Sequence, residues 1–153
     1  MFKITRDMIK AKGAFPAGYR EFCKTFPEED YPDGVEYQKI LDRCAENGRD
    51  SYASWLVYTF GKTTDVRKIE GDYISEKSIF VCGRLEVTGK ISCIGSIEAG
   101  DGIKAGRGIE AGENFGIYAG LSVRLDSNDR QVKAKQKPIN LICGEFVVDD
   151  DKE

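Results

Sequence analysis

The chain has 153 residues, 41% of them apolar and 32% charged, which suits one compact domain or a domain with a small extension and leaves no apolar run of the roughly eighteen residues a membrane span needs. The formal net charge is −3, and acidic and basic residues are mixed along the whole length, so the clustered Lys and Arg of a direct DNA- or RNA-binding protein are not present. There is no histidine, which removes the commonest general base, the usual partner of a nucleophilic Ser or Cys, and the commonest zinc ligand.

Residues 1–64 form an aromatic-rich segment with several helix boundaries. Thr5 is placed to N-cap a short helix through Lys12, with Gly13 beyond its end. Pro16 opens a second helix over 17–26, where Tyr19, Phe22, Cys23 and Phe26 fall on one face. Residues 27–34 are loop. A third helix over 36–47 turns Ile40, Leu41 and Cys44 inward and ends at Gly48, and Asp50 is expected to N-cap a fourth over 51–60 with a stripe of Tyr52, Trp55, Leu56 and Phe60, stopped by Gly61. Eleven of the sixteen aromatic residues lie in this part, enough for a layer that covers the open end of a repetitive fold.

The second part of the chain is such a repeat. Ser96-Ile-Glu-Ala-Gly-Asp, Gly102-Ile-Lys-Ala-Gly-Arg and Gly108-Ile-Glu-Ala-Gly-Glu are three copies of one hexad, and the aliphatic position recurs every six residues from Ile79 through Leu85, Ile91, Ile97, Ile103 and Ile109. Two residues on stands Val81, Val87, Cys93, Ala99, Ala105 or Ala111, and the residue between is mostly polar. Alternation with period two describes a short strand with one buried face, closed by a glycine corner. A flexible linker would lack the spaced isoleucines, and an antiparallel meander would favour two-residue turns between longer strands. The fold expected is α+β: an N-terminal helical cap packed on a short parallel β-helix, or β-solenoid, over 65–148. Asn114 to Gly116 reads as a bulged corner, and the pattern resumes at Ile117, Ala119, Leu121, Val123 and Leu125. Residues 126–138 read as an inserted polar loop that leaves the wall. Residues 139–144 echo Ile79-Phe-Val-Cys-Gly83, a last strand runs to Val148, and the acidic tail 149–153 is expected to be disordered.

Five cysteines, an odd number without a CxxC motif, include three (Cys82, Cys93, Cys143) within the strand pattern; they read as small buried hydrophobes of a reducing compartment. With no basic and apolar leader at residues 1–5, the expected location is cytoplasmic.

Ile4-Thr-Arg-Asp-Met-Ile9 with Gly13-Ala-Phe-Pro16 resembles the leader of many small phage and prophage proteins, some of which carry Gly-Ile-Xaa-Ala-Gly hexads behind it. The resemblance covers most of the chain, implies a phage or mobile-element origin and hence the cytoplasm of a bacterial host, and transfers no catalytic residue. The hexad alone also resembles bactofilin-like β-helices and hexapeptide-repeat acyltransferases. In the latter the small residue falls four after the aliphatic one, whereas here it falls two after, which leaves handedness open. Acyltransferase catalysis rests on a histidine that this chain does not have.

These features favour a non-catalytic binding protein that modulates or inhibits a host macromolecular complex, including a defence system such as a CRISPR effector. It is expected to act without cofactor or metal, as a monomer or homodimer whose partner is a host protein. Alternatives are a self-assembling structural β-helix and an acidic DNA mimic built on Glu86, Glu98 and Glu110. Twelve residues per coil would stack those three into one ladder, whereas eighteen would set Glu86 against Lys104 and Glu98 against Phe80. Candidate partner-binding residues are Tyr31, Tyr52, Trp55 and Tyr58 of the helical part, the wall residues Glu86, Glu98, Glu110 and Tyr118, and Arg130, Lys133 and Lys135 of the inserted loop.

Overall fold

The computed structural model of the protein describes residues 2–112, 116–119, 131–134, 138 and 141–148. The chain opens with β1 (Lys3–Ile4), α1 (Arg6–Ala11), α2 (Pro16–Thr25), β2 (Val35–Glu36), α3 (Tyr37–Glu46) and α4 (Asp50–Phe60). Thr5 caps α1 as its sequence position requires, its Oγ1 accepting from the Met8 N–H at 3.1 Å. The antiparallel pair β1–β2 was not expected: it sets Ile4 against Val35, and both are fully buried. Asp50 is also displaced from its expected role. Arg49 is the N-cap of α4 and makes no side-chain capping bond, while the Asp50 carboxylate accepts a 2.5 Å hydrogen bond from the Ser78 hydroxyl. A partner in the neighbouring wall therefore holds this side chain where an N-cap bond was expected.

Beyond α4 the described residues form twelve short strands: β3 (Val66–Ile69), β4 (Tyr73–Ser75), β5 (Ile79–Val81), β6 (Arg84–Val87), β7 (Ile91–Cys93), β8 (Ile97–Ala99), β9 (Ile103–Ala105), β10 (Ile109–Glu110), β11 (Ile117–Ala119), β12 (Gln131–Ala134), β13 (Leu141–Cys143) and β14 (Glu145–Val148). They stack in parallel into three walls. The first has the order β14-β12-β9-β6-β3, the second β10-β7-β4 and the third β13-β11-β8-β5. Leu85 is in register with Ile103, Ile91 with Ile109, and Ile79 with Ile97, so three hexads make one eighteen-residue coil with one hexad per wall. The hexad aliphatics from Ile79 through Ile109, with Ile117, point inward and are at most 4% exposed.

Close backbone approach explains the corner glycines better than positive φ. A Cβ on Gly106 would overlap the Thr88 carbonyl oxygen of the preceding coil, and one on Gly83 would overlap that of Asp65. Neither residue is among the glycines with positive φ.

One segment departs from the expectation. Residues 131–134, placed in the inserted loop, form the wall strand β12, paired with β9 and β14. Val132-Lys-Ala134 repeats the apolar, polar, apolar alternation, and Val132 and Ala134 are fully buried beside Ile103 and Ala105. The polar surroundings masked a three-residue signal. The echo at 139–144 holds at the level of the wall, since β13 joins the wall of β5, but the residue in register with Ile117 is Leu141, and a shift then sets Cys143 against Tyr118. The expected bulge at 114–115, the strand at 121–125 and the tail at 149–153 lie outside the described residues.

The helical layer lies against the third wall and reaches the mouth of the first coil through Asp42. Phe80 and Cys82, on or just beyond β5, belong to the same apolar cluster as Tyr37, Leu41, Leu56 and Val57. At the free edge of β5, the Gln38 side-chain amide donates to the Phe80 carbonyl at 2.7 Å and accepts from the Cys82 N–H at 3.0 Å. One amide thereby reproduces the pair of bonds that a neighbouring parallel strand would make. At the mouth of the first coil, Arg67 and Tyr73 occupy positions in register with the inward Leu85 and Ile91. The Arg67 guanidinium binds Asp42 of α3 through two bonds of 2.8 and 3.2 Å and lies 3.3 Å from the Tyr73 hydroxyl, so the apolar interior ends in a polar plug.

Candidate functional site

The helical layer forms a largely apolar cavity of about 140 Å³, open to solvent, between α2, α3 and α4. Phe22, Phe26, Ile40, Trp55 and Leu56 are among its apolar lining, as is Phe15, which is 74% exposed. These side chains converge because α3 and α4 pack together while α2, which carries no buried residue, lies over them without closing the gap. The charged residues that line the cavity are Glu21, Arg43 and Arg49. Arg49 Nε meets Glu21 Oε1 at 2.9 Å, tying the start of α4 to α2. Arg43 lies over the Phe26 ring, 5.7 Å from its centroid, and reaches its helix neighbour Glu46 at 3.3 Å. Cys44 is also in the wall; burial pushes its thiol up to about 12, with Glu21 and Asp50 adding to the shift, so it is protonated at neutral pH and unsuited to nucleophilic attack.

The structure separates the candidate residues. Tyr52 and Trp55 line the cavity and are half-buried. Tyr31 packs edge-on against Phe26 with its ring centroid 5.4 Å away, and Lys39 Nζ stands 5.0 Å from the Tyr31 centroid. Tyr58 is 76% exposed on α4. Glu86, Glu98 and Glu110 belong to three different walls. Glu86 lies between Lys68 and Lys104 in register and pairs with Arg84 at 3.0 Å; Glu110 is exposed beside Ser92. Tyr118 is half-buried in the third wall, next to Glu98 in register, and Lys133 stacks on Lys104 in the first. Arg130 and Lys135 lie outside the described residues.

Glu98 corrects the expectation of a solvated wall charge. It is 6% exposed beneath α4, where its Oε2 accepts a 2.7 Å hydrogen bond from the Ser54 hydroxyl, and burial raises its carboxyl above the ordinary range, with the nearby Asp50 adding to the shift. Strand alternation says which side chains point outward but not what covers them.

Sequence reasoning did not single out Arg43, Arg49 or Glu21. The Glu21–Arg49 pair joins residues 28 apart, for which no local spacing rule exists. It also passed over Tyr37, which is 1% exposed, with its hydroxyl 3.0 Å from the carbonyls of both Leu56 and Gly61; burial raises its pKa above the ordinary value.

Fold and site together define a class: a parallel β-solenoid of eighteen-residue coils with an α-helical layer against one wall and an apolar cavity inside that layer. No family model, curated protein or solved structure matches the chain. Among the described residues no helix is long and apolar enough to cross a membrane, and no group of three His, Cys, Asp or Glu is placed to hold a metal ion.

Proposed function

We propose that this is a non-catalytic binding protein in which the solenoid is a rigid frame and the helical layer carries the partner surface. The observation behind this reading is the exposure of two large aromatic side chains of that layer, Phe15 at 74% and Tyr58 at 76%. Aromatic side chains anchor interfaces because they bury much area at little rotamer cost. With the phage-like leader, the partner class proposed is a host macromolecular complex, including bacterial defence assemblies such as CRISPR effectors. The test is a phage-plaquing assay in a strain with active CRISPR interference, with and without expression of the chain. Restored plaquing that is lost in Phe15→Ala/Tyr58→Ala, with the melting temperature unchanged, is the expected result. Absence of any effect on host defence, together with failure to hold a stoichiometric host protein through purification, would remove the proposal.

A second reading, self-assembly, draws on one feature of the first coil. Among the described residues β3 and β4 have no strand on their outer edges, and Val66 and Ile74 there are 44% and 64% exposed. Light scattering that grows with concentration, and falls on Ile74→Lys, would favour it; a discrete monomer would exclude it. The acidic-mimic reading loses its basis, because the eighteen-residue coil distributes the three glutamates over three walls and buries one of them.

A further inference from the structure

We propose that the cavity between α2, α3 and α4 is a binding site for a small apolar carboxylate, with the apolar body inside and the carboxylate at the arginine-bearing mouth. This goes beyond the partner reading and does not depend on it. At about 140 Å³ the cavity is close to the roughly 150 Å³ that accepts benzene in an engineered protein interior, so the body is one aromatic ring or a chain of about six carbons. The cavity is open to solvent, so an apolar body seated in it would release water and gain dispersion contacts with the lining side chains. Helix α2 supplies Gly18, Glu21, Phe22 and Thr25 to the lining and buries no residue of its own.

Charge complementarity sets the ligand class. The three charged lining residues sum to one positive charge. Glu21 engages Arg49 at 2.9 Å, while among the described residues Arg43 pairs with Glu46, an acid whose side chain is 68% exposed, and such surface pairs contribute little. Arg43 is thus held over the Phe26 ring at the cavity with its charge weakly compensated, a geometry suited to a carboxylate whose apolar tail passes between Phe22, Phe26 and Trp55. A neutral ligand of the same shape would gain the apolar contacts but not the ion pair. An amine would meet repulsion.

Trp55 is the sole tryptophan and lines the cavity, so it reports occupancy directly. The 153-residue chain is titrated with hexanoate and, separately, with 1-hexanol, by tryptophan fluorescence. Hexanoate is expected to give a saturable single-site change with affinity about tenfold higher than hexanol. Arg43→Gln, which leaves the Glu21–Arg49 pair in place, should remove that preference while hexanol binding stays as it was; Ala14→Phe, which fills the cavity with a ring, should abolish both. If Ala14→Phe does not fold, Arg43→Gln decides alone. A lack of saturable response to hexanoate, equal affinity for acid and alcohol in the unmodified protein, or an undiminished preference in Arg43→Gln would overturn the proposal.

Discussion

Replacing Gln38 tests how the solenoid is started. Its amide bridges Phe80 and Cys82 on the outermost strand of the third wall, with bonds of 2.7 and 3.0 Å, and its Nε2 also donates to Asp42 at 3.0 Å. Gln38→Ala leaves one carbonyl and one N–H without their partner. A fully buried orphan group costs roughly 1–3 kcal/mol, and Gln38 is half-buried, so water recovers part of this; the expected loss is about 2–3 kcal/mol, read from urea unfolding monitored by far-UV circular dichroism at unchanged slope. Gln38→Glu sharpens the test. As a carboxylate it can still accept from Cys82, but it faces the Phe80 carbonyl and Asp42 with no proton to donate. Protonated, it regains both donor and acceptor. The folded state therefore favours the protonated form, the destabilisation is fully present above the carboxyl pKa of the fold, and it fades as pH falls through that range. An Ala variant within about 0.5 kcal/mol of the parent, or a Glu variant whose deficit is the same at acidic and neutral pH, would refute the claim that this side chain substitutes for a strand.

Gly106→Ala should cost about 2–3 kcal/mol because its Cβ runs into the Thr88 carbonyl, while Gly108→Ala, which meets nothing within 4 Å, should be neutral or stabilise by up to about 1 kcal/mol; paired thermal melts distinguish them. Val132→Asp should lower stability by more than about 4 kcal/mol, as expected for a charge placed inside the wall, and a mild effect in urea unfolding would mean that β12 is not part of the core. For Glu98, whose carboxyl is raised chiefly by burial, the folded state holds its proton more tightly than the unfolded chain, so stability falls as pH rises from below the ordinary carboxylate range through the raised value. Glu98→Gln should accordingly gain on the parent as pH increases from 4 to 7, and a flat difference across that range would contradict the burial of an ionisable group under α4.

The solenoid was legible because its rule is local: one aliphatic every six residues, a small apolar residue two further on, and a corner between. That rule places Ile79 through Ile109 without knowledge of the coil length, since every hexad fills one wall whatever the number of walls. The helices were legible for the same reason, from Thr5, Pro16, Gly48 and Gly61. What failed was everything set by a partner distant in the chain. Asp50 looks like a cap until Ser78 is known to be opposite it, and Glu98 looks solvated until α4 lies over it. Gln38 carries no mark of its role, because the open edge it closes is a property of strand order. The cavity was invisible to sequence reasoning, since its aromatic residues obey the same helical spacing whether they meet or stop short of one another.

The eighteen-residue register also makes the molecule's length a quantised variable. From Tyr73 to Ile109 every rung of the second wall repeats at eighteen, whereas Ile97 reaches its next partner, Ile117, twenty residues on and Ile103 reaches Val132 twenty-nine on, with the stacking preserved in both cases. Surplus residues between strands are absorbed, but the rungs themselves can be added or removed only as whole coils, each extending the column by one strand spacing of about 4.8 Å. A duplication or deletion of one full coil in the middle of the chain would therefore yield a taller or shorter molecule with the same two ends, whereas inserting or deleting a single residue within a strand would turn its core side chains out to water.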